Sequence, residues 1–344
     1  MITRCFFRYL ALFLLFFALI GGIAAQNIAL LQASILETEG AEKLPVPRRP
    51  GRIFPAAFFR DFLAVQDERA AANPFWVATE EELNAQRREE SILLNHDILA
   101  FYGHPLSRYM GILGRFSKEE LYQQLTDLAR EYEEAGFRNI KKAFYIIYGT
   151  VWPGGEIGII RESVLREWVE FTQERNMLLF LDHQIGRFCP IASFRTMLRW
   201  LHYPHIHLAL DPEWRTDRPM QVIGHVTADE LNEIQQIFED YLIENNLPGE
   251  RLLVVHQFNH IMLRNRENIR ADFERVRFVH NISGIGSPDM KRATYAMGAR
   301  ATNLPVKGFK LWFDFGIPGH TDIPLMTPAE VFALSPRPYV IMYQ

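Results

Sequence analysis

From Ser91 to the end of the chain, short apolar runs alternate with amphipathic stretches, and this rhythm restricts the fold more than any other feature. The runs are "DILAFYGHP", "KKAFYIIYG", "MLLFLDHQ", "HIHLALDPEW", "RLLVVHQF", "RVRFVHNISG", "FKLWFDFG" and "PYVIMYQ". Their apolar cores are about five to seven residues long and bounded by turn residues, as strands are. The stretches between them carry helix-start signals. Ser117 to Glu120 and Thr227 to Glu230 read as capping boxes, and Thr327 to Glu330 adds a proline at the first helical position. Near-continuous apolar strands separated by helices imply a parallel sheet covered on its outer face. Eight such strands over about 250 residues predict an α/β chain folded as a (β/α)8 TIM-type barrel. The competing arrangement is an open doubly wound sheet with an extra domain, but no glycine fingerprint follows the first strand.

The barrel is expected over residues 91–344, preceded by two different segments. Residues 1–25 carry two arginines and an apolar run that ends in small residues, the layout of a secretory signal peptide. The same run, left uncleaved, would act as a membrane tether. Residues 26–90 mix Pro, Arg and apolar residues without a clean period and read as an extension or linker. Removing residues 1–25 leaves 35 basic against 41 acidic residues, a net charge near −6, which argues against a nucleic-acid partner. Cys189 is then the single thiol, so no internal disulfide is available and a large core must hold the fold. A composition 48% hydrophobic and 13% aromatic can supply that core. The expected location is secreted, periplasmic or in the cell envelope.

Barrel active sites form at the C-terminal strand ends, and here those ends are rich in polar residues. The first carries Tyr102 and His104, and the second runs on to Trp152. The third ends in Asp182-His183, the fourth in Asp211-Pro212-Glu213-Trp214 and the fifth in His256-Gln257. The sixth ends in His280-Asn281 and the seventh in Asp314. The opposite ends are ordinary. Residues two apart on a strand point the same way, which would aim Asp211 and Glu213 together into the mouth. Nearby carboxyls in a cleft push their pKa values apart, leaving one protonated and one ionised. Glycoside cleavage needs that division, an acid for the leaving oxygen and an anion for the oxocarbenium-like centre.

Glu213, Asp211 and Asp182 are therefore the catalytic candidates. Tyr102, His104, Trp152, His183, Trp214, His256, Gln257, His280, Asn281 and Asp314 are the substrate-binding ones. Duller readings stand beside these. Asp-Pro-Glu after a strand is commonly a turn, His256 and His280 equally suit a hydrogen-bonded barrel lining, and Trp312 reads as core before platform. His205 and His207 lie at a strand start and read as structural.

The segments "LALDPEW" and "NLP…LLVVHQF" resemble a group of bacterial exported proteins with barrel-like chains, over about residues 95 to 320. That resemblance implies no particular activity. The D-x-E at the fourth strand is similar to lysozyme-type muramidases of glycoside hydrolase family 25, which implies Glu213 as proton donor and Asp211 as its partner. Those enzymes carry an acidic residue on the first strand, where this chain has His104.

The leading expectation is a glycosidase-like hydrolase of a polysaccharide or cell-wall glycan, needing no cofactor and no metal. One alternative is a metal-dependent hydrolase drawing ligands from His104, Asp182, His183, Asp211, His256, His280 and Asp314. The other is a non-catalytic glycan-binding envelope protein.

Overall fold

The structure, a computed structural model, describes residues 91–317 and 319–344. The signal peptide expected over 1–25 and the extension over 26–90 lie outside the described residues. No helix among the described residues is long and apolar enough to cross a membrane.

Eight parallel strands form a closed (β/α)8 barrel, as the alternating runs predict. They are β1 (Ile98–Gly103), β2 (Lys141–Val151), β3 (Leu178–His183), β4 (Ile206–Leu210), β5 (Arg251–Gln257), β6 (Val276–Ile282), β7 (Lys307–Leu311) and β8 (Val340–Tyr343). Each pairs with the next, and β1 closes the ring by pairing with both β2 and β8. Ile98 stands opposite Lys141 on one side and Val340 on the other. A short antiparallel return strand, Ile157–Ile159, folds back on the end of β2.

The outer layer comprises α1 (Lys118–Glu134), α2 (Glu162–Glu174), the short α3 (Pro190–Arg195), α4 (Ala228–Glu244), α5 (Pro288–Ala299) and the short α6 (Pro328–Phe332). Ser117, Thr227 and Thr327 form the three capping boxes expected of them, while Ser287 caps α5 by accepting from the Met290 N–H. The β5–β6 connection carries two 3-10 turns, His260–Met262 and Arg266–Asn268.

Strand alternation divides the apolar residues between two cores. Ile98, Ala100, Tyr102, Ala143, Tyr145, Phe180, Ala209, Val254 and Met342 belong to the barrel interior. Their neighbours Leu99, Phe101, Phe144, Leu179, Leu208, Val255 and Ile341 face the helices. The same parity decides which strand-end residues can reach the mouth.

The floor of the barrel is polar. Arg277 lies 2.9 Å from Glu250 with both side chains buried, and Ser91 Oγ donates to Glu250 at 2.7 Å. His207 accepts the Leu252 N–H at 3.0 Å, and His205 bonds Thr172 at 3.1 Å. Both imidazoles thus lie at the strand start, away from the mouth. Replacing Glu250 with alanine strands a buried guanidinium, so unfolding in urea should show a loss of about 3–5 kcal/mol. A loss below about 1 kcal/mol would mean that the floor pair behaves as an exposed one.

Candidate active site

Inward parity collects Tyr102 on β1, Tyr145 on β2, Asp182 on β3, His256 on β5, Asn281 on β6 and Lys310 on β7 at the top of the barrel. The Tyr102 hydroxyl donates to Asp182 Oδ2 at 2.8 Å. Asn281 Nδ2 donates to His256 Nδ1 at 3.1 Å, which leaves the ring proton on Nε2, 2.9 Å from the Tyr145 hydroxyl. Burial, then the charge of Lys310, holds His256 well below the ordinary imidazole range. Its 3.8 Å approach to Asp182 is therefore that of a neutral ring. Gly308 is required beneath Asn281, since a Cβ there would lie 2.5 Å from the amide oxygen.

The fourth strand ends differently from its expected course. β4 stops at Leu210, and Pro212–Trp214 forms a 3-10 turn. Asp211 and Glu213 are thus not alternate residues of one strand. Pro212, which cannot donate to a ladder, opens the turn. The Trp214 N–H returns to the Asp211 carbonyl at 3.3 Å, and Arg215 ties the turn to α4 through Glu230 at 2.7 Å. The Glu213 backbone N–H and the Trp214 side chain are donors near Asp211 that favour its anion, though the Asp211 side chain makes no capping hydrogen bond to the turn. The turn still brings Glu213 close enough for the two carboxyls to feel each other's charge.

Burial dominates the ionisation of all three acids. It pushes Asp182 up to about 8, reinforced by the charge of Asp211. It pushes Glu213 up to about 8, again with Asp211 as the second cause. Asp211 rises only to about 6, because Lys310 and its two hydrogen-bond donors favour the anion. Near neutral pH the site therefore pairs an anionic Asp211 with protonated Asp182 and Glu213. Among the described residues, the buried Asp182 Oδ1 and Asp211 Oδ1 have no hydrogen-bond partner.

Lys310 is the residue that strand-end reading missed. It is buried, with Nζ 3.8 Å from the centre of the Tyr102 ring and 4.4 Å from that of Trp312. Its register, four residues before Asp314, is the signal: a lysine at an inward position of the strand, three residues after Lys307 on the opposite face. Trp312, two residues on, is half-buried beside the lysine rather than sealed in the core. Tyr145 was also missed, hidden within the apolar run "FYIIY".

Parity sends other candidates outward. Of Asp182-His183, His256-Gln257 and His280-Asn281, one member each faces the interior. His183 accepts the Ile185 N–H at 2.9 Å, and burial pushes its ring down to about 3. Gly149 makes room for it, since a Cβ there would lie 2.9 Å from the imidazole. His280 meets Gln257 at 2.7 Å and Lys307 at 3.3 Å, and Arg266 donates to Gln257 at 2.8 Å, a buried network outside the barrel wall. His104 accepts the Leu106 N–H at 3.1 Å within the β1–α1 loop. Trp152 lies across the return strand at Gly158. Asp314 is an exposed turn residue that accepts the Gly316 N–H at 2.9 Å.

The candidate metal ligands are scattered by the same division. Asp182, Asp211 and His256 belong to the mouth, His183 and His280 face the helices, and His104 and Asp314 lie in loops. Among the described residues, no group of three or more His, Cys, Asp or Glu could hold a metal ion.

Solved structures similar to this chain include an oxaloacetate acetylhydrolase in complex with oxalate, at 16% identity and a TM-score of 0.43, covering 74% of this chain and 78% of that one. A glycoside hydrolase family 18 N-acetylglucosaminidase from Paenibacillus barengoltzii is 11% identical with a TM-score of 0.38, over 63% of this chain and 68% of that one. The endo-β-1,4-glucanase Xac0029 from Xanthomonas axonopodis pv. citri is 12% identical with a TM-score of 0.40, over 72% and 86%. Identities and TM-scores this low transfer no activity to this chain. No family model and no curated protein matches the sequence, and the family 25 resemblance is not confirmed.

Proposed function

We propose that the barrel is an exported glycoside hydrolase acting on a polysaccharide or cell-wall glycan. The observation that carries this reading is the gathering of Asp182, Asp211 and Glu213 with the buried Lys310 at the barrel mouth, where burial raises Glu213 and Asp182 above Asp211. Glu213, half-buried on its 3-10 turn, gives its proton to the departing glycosidic oxygen. Asp211 faces the positive charge that develops at the anomeric carbon, held ionised by Lys310, the Glu213 N–H and Trp214. Asp182, hydrogen-bonded by Tyr102, is the third and fully buried carboxyl of the cluster. Trp214 and Trp312 supply flat apolar faces at the rim. These roles need neither a metal nor an organic cofactor.

The test is release of reducing ends from a panel of peptidoglycans and soluble polysaccharides, with and without a chelator. Release should resist the chelator and follow a bell-shaped pH profile. It rises as Asp211 loses its proton, near 6, and falls as Glu213 loses its own, near 8. Release abolished by the chelator, or rising steadily through alkaline pH, would contradict the assignment.

A further inference from the structure

A second buried ion pair lies behind β7. Lys291, in the first turn of α5, places Nζ 3.1 Å from Asp322 Oδ2, and neither side chain is more than 1% exposed. The pair joins separate parts of the chain. Asp322 Oδ1 accepts the Gly286 N–H at 2.9 Å, and Oδ2 accepts the Trp312 N–H at 2.9 Å. The Asp322 N–H returns to the Trp312 carbonyl at 3.0 Å. Lys291 donates to the carbonyls of Gly284 and Lys310. The β6–α5 loop, α5, the end of β7 and the β7–α6 loop are thus fastened at one point.

That point lies on the backbone of the mouth cation, Lys310, and of Trp312, one of the two rings beside it. Lys310 and Trp312 are two apart and share a face. The lysine stays over the Tyr102 ring only while the strand end keeps its place. We propose that Lys291 and Asp322 are positioning residues, fixing the Lys310 carbonyl and the Trp312 amide so that the Lys310 ammonium stands beside Asp211. A buried ion pair is weakly stabilising at best against apolar replacements of similar size, so stability alone accounts poorly for it. Its value lies in direction. One carboxylate and one ammonium satisfy two N–H groups and two carbonyls from two segments, the β6–α5 loop and the end of β7.

The inference takes its catalytic meaning from the glycosidase reading, but its central test does not need turnover. The groups facing Asp211 are Asp182, Glu213, Lys310, Tyr102 and Tyr145. The Asp211 carboxyl would be titrated by carbon-13 NMR in the full chain, in Asp322→Asn and in the double variant Lys291→Met/Asp322→Asn. The double variant leaves no lone buried charge, so it remains usable where the single one fails to fold. Glu250→Gln, weakening the distant barrel floor, controls for general loss of stability.

The Asp211 midpoint should rise by about one pH unit or more in the clamp variants, a tenfold change in ionisation, and stay put in Glu250→Gln. The acid limb of any turnover profile should move with it. An Asp211 midpoint unchanged in a folded double variant, or moved equally by Glu250→Gln, would overturn the positioning role. A wild-type chain with no turnover on any glycan would remove the glycosidase reading, while the titration would still decide the clamp.

Discussion

Replacing Glu213 with glutamine is expected to cut glycan turnover by about 10²–10⁴-fold, the range set by loss of a general acid. Glutamine keeps the size of the side chain and removes the proton. The turn is held by the backbone, including the Glu213 carbonyl that accepts the Gly224 N–H at 2.7 Å, and by Arg215 with Glu230, all of which the substitution keeps. The fold and thermal midpoint should therefore survive. The loss should fall on kcat, because a proton is delivered only as the bond breaks. Substrates whose leaving group needs no protonation should lose far less. Equal loss on activated and unactivated substrates would remove Glu213 from the acid role.

Lys310→Met should change the pH profile more than any other single substitution at the mouth. Lys310 holds down Asp211, Asp182 and Glu213 alike. Removing it leaves burial unopposed at Asp211, whose carboxyl then keeps its proton to higher pH. Both limbs should rise, the acid limb by about one unit or more, shifting the bell to higher pH and lowering turnover near pH 6 by about fivefold or more. Methionine preserves most of the stem packing between Tyr102 and Trp312. An unmoved acid limb in a folded variant would show that Asp211 is not the group whose deprotonation starts activity.

The barrel was legible because its signal repeats. Eight apolar runs and three capping boxes agree with one another, and each local reading leads to the same architecture. The polar cluster at the strand ends was legible, but which residues share it was not. Neighbouring polar residues such as Asp182 and His183 both look like mouth residues, yet a strand turns them to opposite faces. Which face each run buries depends on register against both neighbours. Near-continuous apolar runs such as "LLFL", buried on both sides, conceal it. The Asp211-Glu213 pair illustrates another limit. Alternation alone makes the pair part of a strand, whereas the proline ends the strand and a 3-10 turn places Glu213. Lys310 was obscured by its surroundings, since a lysine between Phe309 and Leu311 gives no period of its own. Its importance follows from Tyr102 and Trp312 across the mouth, contacts that only the closed barrel creates.

The most direct measurement is a carbon-13 titration of the Asp182, Asp211 and Glu213 carboxyls in the wild-type protein. Asp211 should titrate first, near 6, with Asp182 and Glu213 still protonated through neutral pH and ionising near 8. All three ionising in the ordinary range near 4 would mean a solvated acidic turn rather than a divided acid–anion pair, and would contradict the assigned chemistry.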